Sequence, residues 1–450
     1  MDALLTGRVQ FAANVTFHIL FPSITISLAW FLLFFRIRLI RTGDVSWEDA
    51  YRFWVKVFAL TFGLGVVSGI TMSFQFGTNW PGFMEKVGNV AGPLLTYEVM
   101  TAFFMEATFL GIMLFGSGRV SQRVHLISNL LVASGTTLSA FWIVSLNAWM
   151  HTPDGFVMNS HNVAIPTDWF KVIFNPSLLP RFTHVVLSSF LTTSFIVAGI
   201  SSYRYLRGDT CRSVFLALRF AIIVAAICSP LQMIVGDIHG LNSLKYNPQS
   251  IAAIEGLFKT QKGAPAIIFG IPQDEGEGRV DYELSIPRLA SLYLTHDLSG
   301  EVKGISDFKD HPPVLPVFMA FRVMVFMSIL MVIFSWLAFF KTNKGWDNFS
   351  PRLAKILVLF SFSGWIAVVA GWYTTEVSRQ PFLVMGVLKT AAAATKLLPR
   401  EELWFSLFLY LTTYLVLLVI YVYTIFYLAR LDGRKNKAVV AGRGVMHESD

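Results

Sequence analysis

The chain has little charge and almost no cysteine, and each shortage excludes a class of protein. Only 14% of its 450 residues are charged, whereas 54% are hydrophobic and 15% are aromatic, which lies outside the soluble globular range. Its two cysteines, Cys211 and Cys228, give neither a disulfide framework nor a metal-binding spacing. The formal charge of +8 is concentrated at one set of helix ends, a distribution that argues against nucleic-acid binding. The composition predicts a polytopic membrane protein.

Apolar runs of about 20 residues, each long enough to span a bilayer, predict nine transmembrane helices. They lie at 11–35, 53–77, 92–116, 125–150, 182–203, 214–236, 314–340, 353–375 and 403–429. No cleavage site follows the first run, so we expect it to remain as a helix. The expected fold is an all-α polytopic membrane protein with one transmembrane domain over 1–450.

Basic residues cluster after the first, third, fifth, seventh and ninth spans. They are Arg36, Arg38, Arg41, Arg52, Arg119, Arg123, Arg204, Arg207, Arg212, Lys341, Lys344, Arg352, Lys355, Arg430, Arg434, Lys435, Lys437 and Arg443. The positive-inside rule then predicts a periplasmic N-terminus and a cytoplasmic C-terminus. The longest opposite connection, 237–313, is too polar to span and is expected to be an external loop with structure of its own.

A polar segment, 371–382, ends the apolar eighth span and carries Glu376 and Arg379. Because ionisable side chains at bilayer depth are costly unless paired or coordinated, this segment predicts a buried functional site. Glu98 is expected to open the third helix. Four potential ligands are expected in the outer half of other helices: His18, Glu98, His184 and Met324.

These side chains suit haem iron. A single His or Met on an apolar helix is more often a packing residue, but five candidates at one depth favour ligation. Imidazole and thioether are axial ligands, and a His/Met pair is a known low-spin arrangement. Arg8, Arg322 and Arg379 would then face haem propionates, which guanidinium groups bind well.

Glu98 and Glu106 are eight residues apart on the third span, hence on nearly one face and about 12 Å apart along the axis. One interpretation is a pair of protonated, hydrogen-bonded acids. The other is a proton relay from the cytoplasm to the buried site. Ser139, Asn147 and Thr108 could assist, although such residues commonly serve only as helix contacts.

Taken together, these motifs resemble subunit I of the cytochrome bd-type quinol oxidases over essentially the whole chain. The family pattern Gly-Trp-x-x-x-Glu-x-Gly-Arg-Gln-Pro-Trp corresponds to 371–382, where Ser378 replaces the glycine and Phe382 the second tryptophan. Further matches are 8–18, 149–155 and 321–324.

The resemblance implies three haems. His184 and Met324 would ligate a low-spin haem b, Glu376 a high-spin haem b, and His18 the oxygen-reactive haem, which is haem d or a third haem b. Glu98 would lie beside the reactive centre, and which of His18 and Glu98 contacts which iron stays open. Two further residues of the motif are implied in cofactor binding: Trp372 and Gln380.

The resemblance also implies that 237–313 is the quinol-binding loop, with Glu255 acting in quinol oxidation. Asp237 and His239 lie in a matching motif. The family's loop lysine is absent, because 247–250 reads Asn-Pro-Gln-Ser, and Lys245 is the candidate substitute. The loop is short, as in the branch that includes the cyanide-insensitive oxidases.

The implied function is a terminal oxidase of the bacterial cytoplasmic membrane that oxidises ubiquinol or menaquinol and reduces O2 to water. Protons would come from the cytoplasm, so charge is separated without a pump. Implied partners are subunit II, forming a membrane heterodimer, and a small single-helix subunit. A haem–copper oxidase is disfavoured because copper needs more intramembrane histidines.

Two alternatives belong to other classes. A secondary transporter would use Glu98, Glu106 and Glu376 as ion sites, but there is no internal repeat, and paired broken helices are not expected. The other alternative is a purely structural membrane subunit. A visible haem spectrum would separate both from the oxidase.

Overall fold

The computed structural model describes residues 3–273, 278–342, 349–395 and 400–447, with the side chains of 4–433 within those ranges, Arg400 excepted. Lys344 lies outside the described residues, as do the side chains of Arg434, Lys435, Lys437 and Arg443. Among the described residues, nine helical segments are long and apolar enough to cross a membrane: Leu4–Thr42, Ser46–Thr78, Pro81–Phe115, Gln122–His151, Leu178–Leu206, Arg212–Tyr246, Val314–Thr342, Pro351–Ser378 and Glu401–Gly433. Each predicted span falls on one of them, so the all-α, nine-span fold is confirmed. The orientation of the termini stays a prediction.

The helices are α1 (Ala3–Ile19), α2 (Pro22–Thr42), α3 (Ser46–Thr78), α4 (Pro81–Tyr97), α5 (Phe104–Phe115), α6 (Gln122–His151), α7 (Trp169–Ile173), α8 (Leu178–Leu206), α9 (Arg212–Tyr246), α10 (Pro248–Glu255), α11 (Leu289–Thr295), α12 (Val314–Thr342), α13 (Pro351–Leu359), α14 (Ser363–Ser378), α15 (Thr390–Ala393) and α16 (Arg400–His447). Short strands are β1 (Phe156–Met158), β2 (Ala164–Pro166), β3 (Gln261–Lys262), β4 (Ala266–Gln273), β5 (Arg279–Ile286), β6 (Glu301–Val302), β7 (Phe382–Val384) and β8 (Leu388–Lys389). They form four antiparallel pairs, β1 with β2, β3 with β6, β4 with β5 and β7 with β8.

Two spans are interrupted. The first consists of α1 and α2, and Pro22, which lacks an amide hydrogen, begins the second helix. The eighth consists of α13 and α14, separated by a turn at 360–362. The expectation of unbroken helices was therefore wrong at both places. The residues at each break remain largely apolar, so hydropathy does not reveal it.

The third span begins at Pro81 and contains a π-helical turn, Glu98–Phe103, between α4 and α5. Glu98 thus lies in the middle of the span, and the prediction that it opens the helix was wrong. The polar residues Glu85, Lys86 and Asn89 in α4 lower the hydropathy and hide the true start.

The sixth span continues ten residues beyond the predicted end, because α9 runs to Tyr246 and Pro248 starts a new helix. The polar stretch 237–246 is therefore helical, and the connection to the seventh span covers 247–313. Within its described residues this connection contains α10, α11 and the β3–β6 and β4–β5 pairs, so structure of its own is confirmed.

Packing places the functional residues on neighbouring helices. The main apolar core is built around α2, α3 and α8. The helix α6 contacts α5 and the π turn, α9 contacts α8 and α12, and α14 contacts α12. On the other side, α1 packs against α3 and α16.

Candidate functional site

Glu376 is the centre of a buried polar cluster at the end of α14. Asn147 Nδ2 donates to its Oε1 at 2.7 Å, and Arg379 Nη2 donates to its Oε2. His151 Nε2 lies 3.9 Å from Oε1. Asn147 and His151 are one turn apart on α6, so that helix presents both to the carboxylate. The segment that was predicted to form a buried site therefore places Glu376 directly against Arg379.

Two arginines of this cluster keep donors without a partner among the described residues. Arg379 and Arg181 are 3% and 6% exposed, and Nε and Nη1 of Arg379 and Nε of Arg181 are buried without a hydrogen bond. A buried guanidinium donor without a hydrogen bond is costly. Such donors fit the carboxylates of a bound cofactor, for which guanidinium is a suited partner. A cleft of about 280 Å³ opens beside His151 and Asn247.

Arg181 and Gln232 were missed by the sequence reasoning. Arg181 lies one turn before His184 on α8, and the depth argument applied to Arg379 would have found it. Gln232 lies on α9, and its Nε2 is 3.2 Å from His184 Nε2 and 3.3 Å from His184 Nδ1. Only tertiary packing reveals that pair.

Three residues of α9 lie beside the ring of His184: Gln232, Gly236 and His239. A Cβ on Gly236 of α9 would lie 3.5 Å from His184 Cε1. The ring of His239 lies edge-on at 5.5 Å between centroids. The structure thus brings His239, predicted as a quinol contact, next to His184.

Met324 of α12 faces Gly371 of α14, where a Cβ would lie 2.9 Å from the Met324 sulfur. The neighbouring Trp372 packs edge-on against Tyr373 at 5.2 Å between centroids. Gln380 Oε1 accepts a hydrogen bond of 2.8 Å from the hydroxyl of Thr390, which joins the end of α14 to α15.

His18 faces α3 in the first span. Its Nδ1 is 3.0 Å from Ser68 Oγ. A Cβ on Gly69 would lie 3.1 Å from His18 Cε1, so the absence of a side chain there accommodates the ring. Arg8 is half-buried on the same helix, more than two turns before His18.

Glu98 and Glu106 both face α6. Ser139 Oγ donates to Glu98 Oε1 at 2.6 Å, and a Cβ on Gly135 would lie 2.7 Å from Glu106 Cγ. Gly135 and Ser139 are one turn apart, so the predicted shared face is confirmed despite the π turn. Glu106 is 6% exposed, and its Oε1 has no partner among the described residues. Thr108 is exposed and lies apart from this pair.

Glu255 ends α10 inside the connection 247–313 and is 3% exposed. Gly256 follows with a φ of 72°, where glycine is favoured. The hydroxyl of Tyr293 on α11 bonds the Glu255 carboxylate, and Arg322 lies near enough to interact with it. Burial raises the pKa of Glu255 above its ordinary value, although Arg322 and Tyr293 oppose this shift.

Arg322 is held mainly by the loop backbone. Its Nη2 donates to the carbonyl oxygen of Ile267 at 2.7 Å, its Nη1 donates to that of Ile254, and its guanidinium stacks on Phe318. These contacts tie α12 to α10 and β4. The role predicted for Arg322, binding a haem propionate, is not tested by them and stays a prediction. Asp237 and Lys245 are exposed on the last turns of α9.

Comparison with known proteins gives consistent matches. The family model described as cytochrome bd terminal oxidase subunit I matches residues 6–432. The chain is 30% identical to the cytochrome bd ubiquinol oxidase subunit 1 of Bacillus subtilis (strain 168), over 93% of this chain and 91% of that protein. It is 30% identical to the cytochrome bd-II ubiquinol oxidase subunit 1 of Escherichia coli (strain K12), over 96% and 97%. The solved bd oxidase of Geobacillus thermodenitrificans matches with a TM-score of 0.88 at 30% identity, covering 95% of this chain and 98% of that one.

Proposed function

Because this chain belongs to the cytochrome bd terminal oxidase subunit I family, we propose that the cluster around Glu376 and the ligands on neighbouring helices hold its haems. The family places the chain in a terminal respiratory quinol oxidase of the bacterial inner membrane, with haem cofactors and a subunit II partner. Neither the transporter nor the purely structural subunit finds support in these comparisons.

The assignment of ligands to haems follows the family resemblance, and the side-chain types suit it. His184 and Met324 hold a low-spin haem b, Glu376 a high-spin haem b, and His18 the oxygen-reactive haem, of d or b type, beside Glu98. The observation that carries this proposal is the set of unpaired buried donors on Arg379 and Arg181, which suits propionates. Four further residues are proposed as cofactor contacts: Arg8, Arg322, Trp372 and Gln380.

When bound, the haems carry electrons from quinol to oxygen. The protein orients their ligands. Asn147 and Arg379 fix both oxygens of the Glu376 carboxylate, and Gln232 restrains the His184 ring. Such contacts around a ligand set its orientation and basicity.

Quinol oxidation is proposed at the periplasmic connection 247–313. Glu255 accepts a proton from the quinol hydroxyl, and Tyr293 and Arg322 stabilise the ionised carboxylate that is ready to accept it. Asp237, His239 and Lys245, on the last turns of α9, are proposed as further quinol contacts.

Proton supply to oxygen is proposed to run from the cytoplasm through Glu106 to Glu98, with Ser139 bonded to the latter. Both carboxyl groups face α6, which supports a relay between them. A small single-helix subunit is proposed as an additional partner to subunit II.

The test of the haem assignment uses one substitution at two methionines of α12. Met324→Leu matches the side-chain volume but cannot ligate iron, so we expect loss or displacement of the low-spin haem in the reduced-minus-oxidised spectrum. Met331→Leu is the control, since Met331 is buried in an apolar cluster. It should leave the spectrum unchanged.

An unchanged low-spin spectrum and potential in Met324→Leu would remove the His184/Met324 assignment. A purified heterodimer without any haem spectrum would contradict the proposal as a whole. If both substitutions perturb the spectrum equally, the effect comes from changing any methionine of α12. The assignment of Met324 as an iron ligand would then have no support.

A further inference from the structure

We propose that a row of bound water molecules follows a polar seam between α1, α3 and α16 and provides the exit path for product water. The exit role rests on the proposed placement of the oxygen-reactive haem at His18, whereas the hydration of the seam does not. The seam consists of Gln10, Asn14, Ser68, Gln75, Asn79, Ser406 and Tyr414.

The seam begins with a regular polar stripe on α1. Thr6, Gln10, Asn14 and His18 follow at intervals of four residues, so they lie on one helical face. Thr6, Gln10 and Asn14 are 0%, 3% and 0% exposed. The stripe covers about 18 Å along the axis, from the start of α1 to His18.

The helix α3 presents a matching stripe in the opposite direction. Ser68 contacts His18 at 3.0 Å, and Asn79 Nδ2 donates to Gln10 Oε1 at 2.8 Å at the other end. Gln75 lies between them and is 2% exposed. The two stripes are therefore in contact at His18 and at Gln10, and Gln75 is buried between these two contacts.

The third side is α16. Ser406 accepts a hydrogen bond of 2.8 Å from Gln10 Nε2, and the Tyr414 hydroxyl donates to Asn14 Oδ1 at 2.6 Å. Polar contacts thus join three helices in an otherwise apolar part of the bundle. Burying polar side chains in this part of the bundle costs more free energy than burying apolar ones, unless the polar groups are hydrogen-bonded. Their presence therefore suggests that they bind something.

The observation that points to a ligand is a group of buried polar atoms without a partner among the described residues. They are both amide atoms of Gln75, Nδ2 of Asn14 and Nε1 of the adjacent Trp80. Leaving these atoms unsatisfied is costly, because they have lost their hydrogen bonds to bulk water without gaining others. Water satisfies such groups in protein interiors, typically with several hydrogen bonds per molecule.

The chemistry of the seam favours product exit over proton supply. Its seven side chains are amides, hydroxyls and one phenol, which bind water without a carboxylate to relay protons. The proposed proton relay uses Glu98 and Glu106, which face α6 on other helices. Reduction of oxygen at His18 forms water in an apolar bundle, and this seam connects that residue with the end where α1 begins.

Hydration is tested by radiolytic labelling of the intact oxidase in H₂¹⁸O, read residue by residue by mass spectrometry. Tyr414, which bonds Asn14, should incorporate the label. Tyr421 is the internal control, because it lies two turns further on α16, is fully buried and bonds Thr61 at 2.8 Å. Equal absence of label at both tyrosines overturns the proposal.

The exit role is tested with Gln75→Leu, which keeps the approximate volume and removes both unpartnered atoms. We expect loss of label at Tyr414 and a fall in oxygen turnover of about fivefold or more, since product release then becomes limiting, with a normal reduced haem spectrum. Ser73→Ala, on the exposed side of the same turn, should retain label and turnover.

Parental turnover in Gln75→Leu after loss of the label overturns the exit role. If Gln75→Leu does not assemble with haem, Asn14→Leu is read by the same two measurements. His18→Ala separates the two proposals: retention of the oxygen-reactive haem would contradict the haem assignment and with it the exit role, while the Tyr414 label would still report on the seam.

Discussion

At the scale of single residues, glycines opposite the proposed ligands determine how much room those ligands have. A Cβ added at Gly371 would lie only 2.9 Å from the sulfur of Met324, so the glycine leaves room for that sulfur. Gly371→Ala should therefore displace the sulfur and shift the spectrum and potential of the low-spin haem. Redox titration of the purified oxidase measures both.

The control for this substitution is Gly63→Ala. A Cβ on Gly63 meets nothing within 4 Å, and alanine favours a helix more than glycine does. This variant should keep the parental potential. A parental potential in Gly371→Ala as well would show that Met324 adjusts without consequence or is not the ligand.

Ionisable residues at the end of an apolar span were enough to predict a buried site at Glu376 and Arg379, and the eight-residue spacing was enough to predict the shared face of Glu98 and Glu106. The contact between Gln232 and His184 could not be predicted from the sequence, because it depends on how α8 and α9 are rotated about their axes. Likewise, the backbone carbonyls that bind Arg322 belong to a loop whose path no hydropathy pattern encodes.

At the scale of elements, α10 and α11 together form the proposed quinol site. The Tyr293 hydroxyl lowers the pKa of Glu255 while burial raises it. As a proton acceptor Glu255 works only when ionised, so quinol oxidation should fall as the pH drops through its pKa. The raised pKa places this fall at higher pH than for an ordinary glutamate.

Tyr293→Phe removes the bond that favours the ionised form, so the pKa of Glu255 should rise further. The acidic limb of quinol oxidation should then move to higher pH, as measured by quinol-dependent oxygen uptake across a pH series. Tyr282→Phe is the control, because Tyr282 is 80% exposed on β5. An unmoved limb in Tyr293→Phe, or the same shift in both variants, would contradict the role of Glu255.

Element boundaries were predicted where apolar runs are continuous and missed where they are not. The spans themselves follow from hydropathy alone. The π turn at Glu98–Phe103 and the break before Pro22 depend on local hydrogen bonding and on packing. The helical end of α9 was missed because polar residues interrupt the apolar run over its last ten positions.

At the scale of the whole molecule, the proposed sites release and take up protons at different places. In the proposed mechanism, quinol releases protons at the connection 247–313, and protons for oxygen reduction enter through Glu106 from the end of the bundle that carries the basic residues. The two processes lie on opposite sides of the membrane in the predicted orientation. On this proposal, electron transfer between the two sites would separate charge without a pump.

Glu106→Gln tests this directional supply. Glutamine keeps the size and fits the space beside Gly135, but it has no acid proton to pass on. Oxygen turnover and the proton uptake that accompanies oxidation of the fully reduced oxidase should fall about tenfold or more, while the reduced haem spectrum stays near normal. Time-resolved absorption with a pH-sensitive dye measures both rates.

Glu85→Gln, exposed on α4 of the same span, should behave as the parent. If Glu106→Gln oxidises at the parental rate with normal proton uptake, Glu106 is a packed neutral acid, and protons reach oxygen through other residues or through subunit II.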